Sequence, residues 1–269
     1  MAASHSASAL SALPTPSARS APRPADAPSA QSAGAARSAL SVPSAGSAGD
    51  AGSAGSAGSA TDAALDAAVA AVARVFAGRT AKRDESGCAR CHSADEIVLL
   101  RTPDVPLPED LVREVAREDP RRWDDQPAVI RRVLPQLTVR LAAGDDDAPL
   151  LTRGLAAAGW QRWPHEEAMA VAGFLDAWWT RALREEPMGL PARGVFESCV
   201  TATSSVTPWL ALWDAEPGPA ARRLTAEAVS TWWQDELAAD RSPFTWWWGP
   251  EAAERAAWRE LKGWLAERT

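Results

Sequence analysis

Beginning at Pro164, the residues Val171, Phe174, Leu175, Trp178, Trp179 and Leu183 fall three and four positions apart, a spacing that lays one apolar stripe along an α-helix. Two later segments repeat the pattern: Leu224, Val229, Trp232, Trp233 and Leu237, then Ala257, Trp258, Leu261, Trp264 and Leu265. Shorter helical stretches are predicted around Val195–Thr203 and Thr207–Ala215, the second opened by Thr207 and Pro208. Upstream, Val129, Ile130, Val133, Leu134, Leu137 and Leu141 follow Pro127 at helical spacing, with a kink predicted at Pro135 and an end at Gly144. Leu111, Val112 and Val115 mark a helix opened by Pro108 and closed by Pro120. Ser93 and Glu96 form a capping box for a short helix carrying Ile97, Val98 and Leu100. Thr61 and Asp62 are placed to cap a helix that reaches about Phe76 and ends at Gly78. No segment alternates with period two, so no sheet is predicted.

Residues 1–60 obey no such pattern. They are Ser, Ala, Pro and Gly with few large apolar side chains, and they cannot bury enough surface to offset the entropy of ordering. Gly46, Gly49, Gly52, Gly55 and Gly58 recur every third residue without the proline a triple helix needs, so a flexible linker is expected. The pairs Trp178–Trp179 and Trp232–Trp233 stand in similar helices, which hints at a repeated helix pair. The predicted fold is all-α. It is an irregular multi-helix bundle or a short helical-repeat array over 61–269, behind a disordered tail over 1–60.

Composition narrows the function. The chain has 269 residues and a formal charge of −7, with the positive charge almost entirely Arg. That field does not attract phosphates, so nucleic acid is not expected as a partner. Ala63–Phe76 is interrupted by Asp66 and Arg74 and reads as amphipathic, so neither an export helix nor a membrane span is expected. Three cysteines, an odd number, argue against a disulfide framework and for a reducing compartment, with the cytoplasm as the expected address.

Cys88-Ala89-Arg90-Cys91-His92 is the one local arrangement that composition makes improbable. With so few cysteines, a given Cys has roughly one chance in a hundred of a second Cys three positions on. Two thiolates separated by two residues in a turn can face one zinc ion, which then takes two further N or S ligands. Cys199 and either His165 or His92 are the candidates, and a closed site of that kind would stabilise the fold rather than catalyse. A different chemistry is a reactive dithiol, with Cys88 acidified near a helix start and Cys91 as the resolving thiol. The motif C-x-x-C-H also resembles the attachment site of c-type cytochromes. That resemblance covers five residues and implies covalent haem c on Cys88 and Cys91, His92 as an axial ligand, and Met169 or Met188 as the second.

Asp145–Asp147 lacks the spaced oxygens of a calcium loop and reads as a solvated turn. Trp246, Trp247 and Trp248 are consecutive, so they cannot all face one core; packing between the last two helices is the expected role, and a member left at the surface or in a groove would be an anchor for a partner. No G-x-S-x-G, Walker loop, Rossmann fingerprint or H-E-x-x-H occurs, and no residue is marked for catalysis. The Arg-rich, Lys-poor, Trp-rich character resembles helical proteins of high-GC bacteria, a likeness that implies no activity. The expected function is a non-catalytic, zinc-stabilised module that binds a protein partner. The alternative is a redox protein with haem or a reactive dithiol at the motif.

Overall fold

A computed structural model describes residues 51–185 and 191–269. The disorder expected of the tail therefore falls mostly outside the described residues, as does Met188.

Helix α1 spans Ala51–Val75, and it starts ten residues before the cap expected at Thr61. The run of Ala, Ser and Gly preceding Thr61 is small enough to enter a helix, and Ala in particular favours it. The capping box at Ser93 and Glu96 forms as expected and opens α2, Ala94–Arg101. Two longer elements follow, α3 (Glu109–Arg117) and α4 (Gln126–Ala142). The Asp125 side chain accepts from the Ala128 N–H at the start of α4, which runs on through Pro135.

Helix α5, Ala148–Ala157, was not anticipated, because its buried face is made of small or polar residues among only two leucines, Leu151 and Leu155. Helix α6 spans His165–Arg184 and buries the whole predicted stripe. Helices α7 (Ala192–Thr203) and α8 (Thr207–Ala215) lie where the pattern puts them. The single helix suggested by Leu224 to Leu237 is instead broken into α9 (Pro219–Glu227), a π turn over Ala228–Trp232, and α10 (Gln234–Ala238). Adjacent residues of a regular α-helix point about 100° apart. Across the wider turn Trp232 and Trp233 are both buried and meet edge to face at 5.4 Å. The last helix, α11, is Glu251–Ala266.

Helix α1 lies along α6 and α4, α5 along α7 and α3, and α8 against α11. In a repeat array each unit touches only its neighbours, so the contact of the first helix with the sixth makes this an irregular bundle. Among the described residues there is no strand, and no helix is long and apolar enough to cross a membrane. An aromatic cluster of Trp179, Phe196, Trp213, Trp232, Trp233 and Trp264 joins α6, α7, α8, the π turn and α11.

Candidate dithiol site

The segment before α2 is fixed by one buried carboxylate. Glu85 is fully enclosed, and its two oxygens accept the backbone N–H groups of Gly87 (3.0 Å), Asp124 (2.9 Å) and Asp125 (2.9 Å). Ser86 donates from both its N–H and its hydroxyl to the Asp124 carboxylate. Gly87 follows at φ +58°, where a β-carbon would also meet Ile97 at 2.8 Å and Trp123 at 3.0 Å, so the position requires glycine.

One helical turn comes next. The Cys88 carbonyl accepts from the N–H groups of Cys91 (2.8 Å) and His92 (3.0 Å), and this winding brings the two sulfur atoms to 3.0 Å. Both cysteines are partly exposed. The Cys91 thiol donates to Cys88 Sγ and, with backbone N–H groups of Arg90 and Cys91 and the Arg122 charge, holds the Cys88 pKa below the usual thiol range. The same shared proton, burial and the Glu118 carboxylate push Cys91 up to about 11. The two sulfurs are therefore unequal, with Cys88 the better thiolate.

Residues from the end of α3 onward complete the site. The Arg122 guanidinium donates to Cys91 Sγ and pairs with Glu118 at 3.3 Å. His92 is buried, its ring tilted over Trp123 at 4.6 Å, and its Nε2 lies 2.7 Å from Glu118 Oε2. Glu118 thus engages one ring nitrogen, Nε2, and leaves the other, Nδ1, to the interior. That Nδ1 is buried without a hydrogen-bond partner, as is Trp123 Nε1. A surface cavity of about 440 Å³ opens beside Cys91 and His92, rimmed by Arg117, Glu118 and Arg122.

The other expected site residues lie elsewhere. Cys199 is fully buried in α7, its sulfur against the Leu175 carbonyl, and burial pushes its thiol pKa well up. His165 is exposed at the first position of α6. Among the described residues, no group of three or more His, Cys, Asp or Glu side chains is arranged to hold a metal ion. Met169 is exposed on α6. Of the consecutive tryptophans, Trp246 is exposed, Trp247 packs partly on the core, and Trp248 lies under Arg153 at 4.7 Å. Glu118, Arg122 and Trp123 carried no local signal, since each meets the motif only through tertiary contact, and Glu85, though adjacent in sequence, is no different by type from an exposed carboxylate.

Fold and site together define an all-α protein bearing an accessible vicinal dithiol on a stapled turn. No family model, no curated protein and no solved structure matches the chain.

Proposed function

We propose that this is a thiol redox protein, in which Cys88 and Cys91 alternate between dithiol and disulfide. The observation that carries the reading is the 3.0 Å contact of two accessible sulfurs of opposite acidity shift within one turn. The partner is a disulfide, of a protein or a small molecule. The Cys88 thiolate attacks one sulfur of that disulfide, forming a mixed disulfide and expelling the other sulfur as a thiolate. Cys91 then loses its proton and attacks Cys88 Sγ, closing the intramolecular bond and releasing the second thiolate. The substrate gains two electrons and the protein loses two. A reducing compartment suits this cycle, because a cellular dithiol can return Cys88 and Cys91 to the reduced state.

The test is equilibration in glutathione redox buffers, with free thiols counted by a mass tag. A two-electron transition confined to Cys88 and Cys91, absent in both Cys88→Ser and Cys91→Ser, is expected. Two thiols that stay reduced across the whole range of buffers defeat the proposal.

A second reading rests on His92. Metal-bound histidines are commonly oriented by a carboxylate on the far ring nitrogen, and Glu118 occupies that place while Nδ1 is unspent. Zinc held by Cys88, Cys91 and His92 would require these side chains to turn toward one point, since they do not converge as they stand. Elemental analysis of the untagged protein separates the two readings: stoichiometric zinc that is lost in Cys88→Ser selects the ion, and metal-free protein with titrating thiols selects the dithiol. An absorption spectrum of the same sample reads out the haem alternative.

A further inference from the structure

Arg132 lies in the middle of α4 with only 6% of its surface exposed. Its Nε donates to the Thr102 carbonyl at 3.1 Å, just past the end of α2, and its Nη2 donates to the Val105 carbonyl. Those bonds anchor the side chain, and the carbonyl end of α2 contributes part of a negative charge. Among the described residues, no carboxylate lies within ion-pair distance. The nearest, Asp104, acts on Arg132 only through space and has one oxygen committed to the Gly78 N–H at 2.7 Å. Burial accordingly pulls the guanidinium pKa below its usual value. A buried cation short of a counter-ion is costly, and proteins meet that cost with a paired or bound anion.

A cavity of about 350 Å³ opens onto this side chain. Its walls are Ala73, Phe76, Ala77, Pro106 and Pro135, with the Asp104 carboxylate at one side and Arg79 at its rim. Among the described residues nothing accepts from Arg132 Nη1, and that nitrogen is not enclosed, so its two N–H groups can serve a ligand. Gln136, also at the wall, is fixed by Leu107, whose N–H donates to its amide oxygen and whose carbonyl accepts one of its N–H groups. Arg79 is paired at 2.5 Å with Glu167, so the charges left at the cavity are Arg132 at its base and Asp104 at its side, the latter with one oxygen held by the Gly78 N–H. The volume is that of a small-ligand pocket, and Arg132 is its hydrogen-bond donor toward a ligand.

We infer that this cavity binds a small monocarboxylate with a compact apolar body, its carboxylate on the Arg132 guanidinium and its hydrocarbon between α1 and the prolines. Benzoate is the probe, and benzamide is its neutral match in shape. Isothermal titration should give benzoate a Kd of about 1 mM, the strength its few heavy atoms allow, with benzamide at least about tenfold weaker. Ala77→Trp fills the cavity from an exposed position, so it should abolish benzoate binding while leaving the circular dichroism and melting temperature in place. Arg132→Met should do the same to binding, and if that variant does not fold, Ala77→Trp alone decides. Absence of binding at about 10 mM benzoate, equal binding of benzamide, or binding undiminished in Ala77→Trp would each overturn the assignment.

Discussion

Among individual residues, Glu85 does the most to shape the site while taking no part in its chemistry. Three backbone N–H groups from two segments end on its fully buried carboxylate. Glu85→Ala should cost about 2–4 kcal/mol, because it removes three hydrogen bonds at once and empties a buried position. Glu85→Gln keeps the shape but turns an amide toward one of those donors, and should cost about 1–2 kcal/mol. Urea unfolding measures both, and equal losses would mean that packing rather than hydrogen bonding is what Glu85 contributes. At Cys88 the sign follows from its first cause. The Cys91 thiol donates to Cys88 Sγ and stabilises the thiolate, so Cys91→Ala should raise the Cys88 pKa. Alkylation of Cys88 by iodoacetamide, which rises with pH through that pKa, should then move to higher pH. An unmoved profile would show that Arg122 and the backbone N–H groups set the acidity alone.

At the level of elements, the close crossing of α3 and α5 turns on Gly154. A β-carbon there would stand 2.2 Å from the Ala116 carbonyl oxygen, a backbone atom that cannot step aside. Gly154→Ala should therefore destabilise by about 2 kcal/mol, even though alanine is worth about 1 kcal/mol in helix propensity. Gly173 in α6 and Gly263 in α11 have nothing within 4 Å, and there the same change should stabilise by about 0.5–1 kcal/mol. Denaturant midpoints of the three variants check the contrast, and a uniform sign would refute the close-approach argument. The same contrast explains what could be read in advance. Helices α6, α8 and α11 were legible because large apolar residues recur on one face. Helix α5 was not, since Gly154 and Thr152 pack by being small or by folding a hydroxyl back onto the Ala148 carbonyl. In the site, Cys88 and Cys91 announced themselves by spacing. Glu118, Arg122 and Trp123 arrive from some thirty positions away, and only the packing of α3 beside the turn brings them there.

For the molecule as a whole, the question is whether the dithiol half and the tryptophan half fold as one. Helix α1 packs on both α4 and α6, and α5 on both α3 and α7, so α1 and α5 join the elements around the turn to those that carry the aromatic cluster. Trp213 stands at the centre of that cluster, 4.8 Å from Trp264, 5.2 Å from Trp179, 5.6 Å from Phe196 and 5.6 Å from Trp232. Indole suits these positions because a buried N–H can still be used: Trp179 donates to the Trp209 carbonyl, Trp233 to Glu197 and Trp264 to Asp214. Trp213→Ala should cost about 3–5 kcal/mol by opening a cavity that four rings cannot collapse into. Removing the exposed Trp246 in the same way should cost less than about 0.5 kcal/mol. If the bundle is one cooperative unit, hydrogen-exchange protection of the Gly87, Asp124 and Asp125 N–H groups bonded to Glu85 should be lost in urea at the same midpoint as tryptophan fluorescence, in the wild type and in Trp213→Ala alike. A midpoint for those amides that stays put while the fluorescence midpoint falls would divide the chain into two folding units, with the dithiol turn held by α2, α3 and α4 alone.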